Sequence, residues 1–492
     1  MKKRWLMLLL AGALMAAGCG AKKESAEPAS EKAVQESAEE AAAEEHADDA
    51  EKDKAAEADA AEKDAAASAD AEKAAEETDT PAGQDRYAAF LAGDGKMTVH
   101  TAGIRSDGLE FNQLYSEGET LTLQEVMDKT AEFIPGEWAA EDAKIIPSAA
   151  AAEIDCGNDG EKELALCITY PVQSESWRQY MILKDQGEEL ALCYMGCAWS
   201  RSDITIDSYG FIAGDGSGGA AVHVFDKSFV DKDGKWQYLY SVETEIYPEN
   251  IYYNEEFHDM TGYGLDLSEL LLLRYSFVPD WTEDRKEYLT YSTYSDAQNP
   301  EDPSGLFWDL TADASAYAAD SPYRKAFDAE GIEFYPMDEI REMIAAREAE
   351  TGFSKEAYCS GEMADWDSIQ TGSVRAMFRE DAGEELLKNA GEVTIETGEN
   401  PARIVFTALK PVSDFKILAV KSIDFDNYGN PVYQCEEKYG QKELLPEKPL
   451  AAEVVFYGDM PNIAISYTED GTVKNAAVYL SGKDGSLQLS GF

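Results

Sequence analysis

The sequence predicts a mainly β protein with some helix (α+β), and two kinds of pattern support that fold class. Short apolar or alternating runs, separated by turn residues, recur from residue 164 to the C-terminus. Helical patterns with recognisable ends are fewer. We therefore expect an antiparallel β region over 86–293, a helical or irregular connecting segment over 294–390, and a β-sandwich over 391–492. With 492 residues and 44% hydrophobic content, the chain can bury sizeable cores.

The region 86–293 is predicted to form an antiparallel sheet or a small barrel with one or two helices. Thr122 and Glu125 have the spacing of a capping box, which predicts a helix with Val126, Phe133 and Ile134 on its apolar face. Apolar or alternating runs predict four strands, at 164–170, 177–183, 189–195 and 220–225.

Aromatic residues are dense from residue 236 to 294. Trp236, Tyr238 and Tyr240 alternate, so we expect them to share one face of a strand. Exposed rings beside acidic residues would form a binding platform for sugars or cationic groups. The alternative is that these rings line the core of the sheet.

The connecting segment 294–390 contains the clearest helical pattern in the chain, over 337–351. Ile340, Met343 and Ile344 share one face, and Gly352 is placed to end the helix. The pattern leaves open whether this segment is a separate domain or a cover on the first region.

The last hundred residues are predicted to be all β, with an immunoglobulin-like sandwich architecture but without its Cys…Trp…Cys signature. Two tight turns, at 469–471 and 483–485, indicate hairpins. Seven strands are predicted, at 393–395, 403–409, 415–423, 432–435, 453–457, 463–467 and 476–480.

The charge balance restricts the partners of the protein. There are 42 Lys and Arg residues against 97 Asp and Glu residues, giving a net charge of −55 and a pI near 4.2. Such a surface repels nucleic acids and anionic headgroups. A cationic partner or a metal ion is more plausible, although solubility alone would explain the acidity.

The first nineteen residues have the pattern of an export signal. Three basic residues precede an apolar run at 5–17, which is too short to span a bilayer as a mature helix. Ala16, Ala17 and Gly18 come directly before Cys19, and this sequence resembles a bacterial lipoprotein signal. The resemblance implies removal of residues 1–18 and lipidation of Cys19. An ordinary secretory signal is the alternative.

Residues 19–85 are predicted to be a disordered acidic spacer. Between Ala21 and Gly83 there are 21 acidic and 7 basic residues, no aromatic residue and one Val. Alanine alone cannot offset the entropy of ordering a chain. A flexible coil of this length would span about 45 Å and would lift a folded head away from a membrane.

The sharpest local motif follows residue 154. Asp155, Asp159, Glu161 and Glu163 surround Gly160 in a loop that resembles the calcium loops of FG-GAP/VCBS repeats. The resemblance implies that the side chains of Asp155, Asp159 and Glu163 and the backbone carbonyl of Glu161 would hold Ca²⁺. The alternative is an unoccupied Asn-Asp-Gly turn between two strands.

The segment 214–219 resembles the Gly-Asp-Ser-Gly-Gly nucleophile segment of chymotrypsin-like proteases. Ser217 and the upstream His100 have the chain order of that catalytic triad. The inserted Gly216 breaks the motif, and we expect a glycine-rich turn or bulge before a strand.

Six cysteines remain besides Cys19, and most lie in apolar strand patterns where a free Cys is a small buried hydrophobe. Cys167, Cys193 and Cys197 are either all free or include one disulfide pair. No C-x-x-C motif supports a zinc site.

Together the signal, the spacer and the Asp-rich loop resemble surface lipoproteins of Gram-positive bacteria. This implies a membrane-tethered, extracellular binding or scaffold protein without catalytic activity, whose partner is a cell-wall component, a glycan or a cationic molecule. The alternative is a cell-envelope hydrolase or peptidase. A solute-binding protein would need alternating βαβ units, which the sequence does not show.

Overall fold

The computed structural model describes residues 82–105, 114–134, 145–172, 175–219, 221–246, 248–254, 256–279, 285–293, 318–397, 401–425, 431–456, 460–483 and 485–492. The predicted signal peptide, Cys19 and nearly all of the predicted spacer lie outside these residues. The described residues belong to one compact unit, Thr80–Phe492.

The unit begins with two helices and two short strands. The capping box predicted at Thr122 is confirmed, because its hydroxyl accepts from the Glu125 N–H while the Glu125 carboxylate accepts from the Thr122 N–H. Val126 and Ile134 are buried as expected, but Phe133 is 38% exposed. The elements are α1 (Ala82–Ala92), β1 (Met97–Thr98), β2 (Thr120–Leu121) and α2 (Leu123–Phe133).

Four longer strands follow and join the first two in sheet I. Its order is β3-β4-β5-β6-β1-β2, and neighbours are antiparallel except β6 and β1, which are parallel. Three of the four predicted strands of this region lie here. The new strands are β3 (Ser148–Ile154), β4 (Glu163–Val172), β5 (Glu175–Asp185) and β6 (Leu190–Ala198).

A second antiparallel sheet, sheet II, has the order β14-β13-β10-β9-β8-β7. The region thus holds two open sheets where one sheet or a small barrel was expected. Strands β11 and β12 form a separate hairpin. The elements are β7 (Ser202–Ile206), β8 (Phe211–Ser217), β9 (Val222–Val230), β10 (Trp236–Ile246), β11 (Asn250–Tyr253), β12 (Glu256–Asp259), β13 (Leu270–Ser276) and β14 (Tyr288–Thr293).

Sheet I is covered on both faces over most of its central strands. Phe90 and Val126 of the two helices pack with Leu166 on one face. On the other face, Ile182 packs with Ile206 of sheet II. Alternate residues of a strand point to opposite faces, so strands covered on both sides need apolar residues at nearly every position. All nine residues of β6 are buried.

The described part of the connecting segment contributes both helices and strands. Helix α4 has the predicted bounds, and Gly352 ends it with φ 74°. Met337 and Ile340 pack on sheet II, so this helix is a cover on the first region. The elements are α3 (Pro322–Glu330), α4 (Met337–Thr351), α5 (Lys355–Tyr358), β15 (Asp367–Ile369), β16 (Val374–Phe378) and α6 (Glu384–Leu387).

The C-terminal strands form two further sheets. Sheet III has the order β16-β18-β21-β17 and sheet IV the order β20-β19-β22-β23-β24, while β15 extends sheet I beside β3. Phe406 of sheet III and Phe415 of sheet IV lie 5.6 Å apart in one shared core. All seven predicted strands are present. The elements are β17 (Gly391–Thr394), β18 (Ala402–Ala408), β19 (Val412–Phe425), β20 (Pro431–Leu444), β21 (Leu450–Val454), β22 (Ile463–Glu469), β23 (Thr472–Leu480) and β24 (Leu487–Gly491).

Among the described helices, none combines the length and the apolar character needed to cross a bilayer.

The capping box gives a direct test of α2. Replacing Thr122 by Ala removes the oxygen that accepts from the Glu125 N–H, and we expect a loss of about 1 kcal/mol in the free energy of unfolding. Urea denaturation measures it. Thr122→Ser keeps the oxygen and is expected to keep most of the stability; an equal loss in both variants would show that the cap is not the cause.

Candidate functional site

A groove of about 230 Å³ lies between sheet I and sheet IV. One side is formed by β3, β4 and β15, and the other by β23 and β24. Strand β15 is the outermost strand of sheet I, and β24 is the outermost strand of sheet IV. The groove is therefore formed where two sheet edges meet.

The floor of the groove is made of small side chains on one face of sheet I. Ser148 lies opposite Thr169 on β4, and Ala150 lies opposite both Cys167 on β4 and Ser368 on β15. Residues directly opposite each other in a sheet point to the same face. The side chains at these positions of β3, β4 and β15 are short, so a recess remains beside Arg178 and Tyr180 of β5.

The recess marks the point where sheet II stops covering sheet I. Ala152 and Ala165 form the next pair along the same face, and they are buried against sheet II. One pair further, Ala150 and Cys167 are only partly buried and line the groove, and Cys167 also packs against the margin of the same cluster.

The opposite wall comes from the C-terminal hairpin of β23 and β24. Tyr479 supplies an aromatic ring, and Leu489, Ser490 and Gly491 line the wall beside it. A Cβ on Gly491 would lie 2.6 Å from Cγ2 of Ile146, so this close approach requires glycine.

Two polar contacts fasten the wall to the floor. Lys483, in the turn between β23 and β24, donates to Asp365 Oδ1 at 2.6 Å and to Asp367 Oδ1 at 2.7 Å. The Gln370 amide donates to the carbonyl of Leu487 at 2.7 Å, and to that of Ala376 at the same distance. The hairpin is thus held at two points.

The groove is uncharged. None of its fourteen described lining residues is Asp, Glu, Lys, Arg or His, although these acids and bases are common in the chain. Burial raises the pKa of the Cys167 thiol and of the Tyr479 hydroxyl, so both are neutral at pH 7. The groove can offer hydrogen bonds and apolar contact, but its lining holds no acid–base pair that titrates near neutral pH.

The carboxylates of the predicted calcium loop are occupied by the protein itself. Asp155 Oδ1 accepts from the N–H groups of Asp159 at 2.9 Å and Gly160 at 3.2 Å. Asp159 Oδ1 accepts from the Glu161 N–H at 2.9 Å. These are Asx-type turn contacts, which satisfy the backbone of a tight turn.

Glu163 belongs to the core rather than to the loop surface. It accepts from the Cys156 N–H at 2.7 Å and forms an ion pair with Lys184, which also reaches Glu161 at 3.2 Å. Burial raises the pKa of Glu163, although Lys184 and the Cys156 N–H oppose that effect. Within the described ranges, no three His, Cys, Asp or Glu side chains are grouped to hold a metal ion. The Asp155 and Asp159 carboxylates thus make the contacts of a tight turn, and the calcium site stays a prediction.

The three predicted ligand-binding aromatics do not share a face. A β-bulge between Tyr238 and Tyr240 shifts the register against β9, which reverses the alternation along β10. Trp236 packs between sheets I and II, 6.0 Å from Tyr194, whereas Tyr240 packs in the cluster under α4. Tyr238 and Tyr240 are each 7% exposed. These rings line cores, as the alternative proposed.

Ser217 and His100 have different partners. The Ser217 hydroxyl donates to the Gly219 carbonyl at 2.9 Å. The His100 ring lies between Glu117 and Glu189, with 3.1 Å from Nδ1 and from Nε2 to the respective carboxylates. Burial disfavours the charged ring, but the two carboxylates outweigh it and raise the pKa of His100. The protease interpretation gains no support.

All six described cysteines are free thiols, so no disulfide links Cys167, Cys193 or Cys197. Sequence reasoning named Cys167 only as a disulfide candidate, and it missed the groove. The one local signal was the alanine run at 149–152, which is unusual in a strand because alanine has a low β propensity.

The Asp-rich loop can be tested by mutation and by calcium. Asp155→Ala is expected to cost about 1 kcal/mol in unfolding free energy, because it removes an acceptor from two backbone N–H groups. Asp159→Ala removes an acceptor from only one backbone N–H, so it should lower the unfolding free energy by less. We expect calcium to leave the melting temperature unchanged. A rise that Asp159→Ala abolishes would instead establish a calcium site.

His100 gives a pH-dependent test. Because its pKa is raised on folding, its stabilising effect is present below the unfolded value of about 6.5 and is lost as pH rises through the folded value. The effect should stay below about 1 kcal/mol, since the ring is partly exposed and screened. Urea denaturation between pH 5 and pH 9 should show this loss in the wild type and not in His100→Gln. Parallel curves for both proteins would contradict the assignment.

Comparisons with known proteins do not assign the chain to a family. No protein-family model matches the chain, and no curated protein sequence matches it. Among solved structures, the chain aligns with a C-terminally truncated trimeric ectodomain of the C. elegans fusion protein EFF-1, at 10% identity over 72% of this chain and 77% of that one. The TM-score of 0.10 is too low to support any conclusion about fold or function.

Proposed function

We propose that this protein is a membrane-tethered extracellular lipoprotein of the Gram-positive cell envelope, and that its folded part binds a ligand without catalysing a reaction. The observation that carries the binding role is the uncharged groove between sheets I and IV. Ligand sites are concave and combine apolar surface with a few polar groups, and this groove has both.

The tether is supported by the sequence before residue 86. Small residues precede Cys19 as in lipoprotein signals, and the acidic segment that follows has the composition of a solvated spacer. A lipid on Cys19 would hold the chain at the outer face of the membrane. The spacer would place the folded head at the distance of cell-wall material.

We also assign an immunoglobulin-like sandwich architecture to the region 391–492, beside the α+β arrangement of the regions before it. The support is that sheets III and IV contribute inward side chains to one apolar core, including Val374 and Ile465. Strand β16 lies before residue 391, so the sandwich would include one strand from the connecting segment.

The hydrolase or peptidase alternative has less support. Such an enzyme would place a pair of carboxylates, or a nucleophile and its base, in the groove. The lining offers Cys167 with a raised pKa, and its described residues include no histidine or carboxylate; the nearby Asp203 carboxylate is paired with Arg178 and adds to the effect of burial in raising that pKa. A raised pKa makes a thiol less nucleophilic at neutral pH.

Lipidation is tested in a bacterial host fed radiolabelled palmitate. We expect the wild-type chain to incorporate radiolabelled palmitate and the Cys19→Ala chain to incorporate none. The Cys19→Ala chain should also be absent from the membrane fraction. Cys435→Ala is a matched control, because Cys435 is the exposed cysteine of the described fold. Membrane association that survives Cys19→Ala without label would contradict the proposal.

A further inference from the structure

We infer that the groove takes a single neutral sugar ring, as the exposed residue of a glycan; this inference rests on the binding role proposed above. Four properties of the groove lead to it: its volume, its charge, its hydroxyl groups and the contacts at both ends of its β24 edge.

The volume limits the ligand to one ring. The groove holds about 230 Å³, which is below the roughly 300–1,000 Å³ typical of pockets for drug-sized ligands. A single six-membered ring with its substituents fits this space, whereas a longer oligomer would extend into solvent.

The charge favours a neutral ligand. A charged ligand would lose hydration on entry and would find no opposite charge among the lining residues. The surrounding protein carries a large negative charge, which repels anions further. Charges around the groove are paired with one another: Lys483 with Asp365 and Asp367, and Arg178, beside Thr169, with Asp203.

The polar groups suit a ligand rich in hydroxyls. Six lining residues carry a hydroxyl, and each hydroxyl can both donate and accept a hydrogen bond. They stand on both sides of the groove, so a ring between them meets partners on either side. They are Ser148, Thr169, Ser368, Thr371, Tyr479 and Ser490. The Tyr479 ring adds an apolar face for the C–H groups of a sugar.

An extended peptide fits less well. A peptide that added to the β24 edge would pair with the backbone groups of residues 487, 489 and 491, which point to the same side. Gln370 already occupies the carbonyl of Leu487, and the Ile146 side chain crowds one face of Gly491. The edge left between these two contacts is short, whereas strand addition needs a row of open backbone groups.

Calorimetry on the full-length chain tests the inference. We expect methyl glucoside to bind with a millimolar dissociation constant, and glucuronate and glucosamine, which carry a negative and a positive charge on the same ring, to bind at least about tenfold more weakly. Ala150→Leu fills the floor and should abolish the heat. Glu153→Leu places the same side chain at an exposed position of β3 and should not.

Thiol protection gives a second readout at the site itself. In the Cys435→Ser chain, saturating methyl glucoside should slow the alkylation of Cys167 by N-ethylmaleimide about fivefold or more. The alkylation of Cys359, which lies outside the groove, should not change.

Several results would overturn the inference. These are no heat and no protection with methyl glucoside, equal binding of the three sugars, or binding that survives Ala150→Leu. Protection of Cys167 by a blocked trialanine peptide but by no sugar would overturn it in favour of strand addition. If these results appeared while membrane attachment still depended on Cys19, the ligand assignment would be wrong but the proposed lipid attachment would be unaffected. Loss of that dependence would overturn the tether whatever binds in the groove.

Discussion

The structure depends on the burial of the central strands of sheet I on both faces. Strand β6 has no exposed residue, so it is stable only while α1 and α2 cover one side and sheet II covers the other. Sheet II then has an outer face of its own, which α4 covers, while α3 packs on the opposite face of β13 against Leu270 and Leu272. The covering helices α1 and α2 precede the long strands of sheet I in the chain, and sheet II and α4 follow them.

The groove is a consequence of incomplete cover. Sheet II ends before it reaches Ser148 and Ala150, and the C-terminal hairpin meets sheet I at that end. Lys483 and Gln370 hold the hairpin in place without filling the gap. Because the floor is made of small side chains, a recess remains where a larger residue would have closed the contact. A binding site formed in this way needs no charged or catalytic residue.

The sequence predicted those features that short-range physics decides. The capping box at Thr122 and the helix Met337–Thr351 involve residues a few positions apart; the cap was predicted correctly, and the helix with both of its ends. The bulge in β10 could not be seen, because it depends on how β9 pairs with it. The groove was missed for the same reason: Ala150 and Gly491 are more than three hundred residues apart in sequence. In the Asp-rich loop, the sequence shows the spacing of the acids but not that backbone N–H groups and Lys184 contact their oxygens.

Hydrogen–deuterium exchange on the full-length chain, with and without saturating methyl glucoside, tests the central claim most directly, because it compares the groove with every other surface at once. Amides whose local opening is suppressed by a ligand exchange more slowly. We predict that slowing is concentrated in peptides covering 146–150 and 487–491, with none at 236–240. Slowing confined to 236–240, or no slowing in any peptide, would contradict the claim that the groove is the binding site.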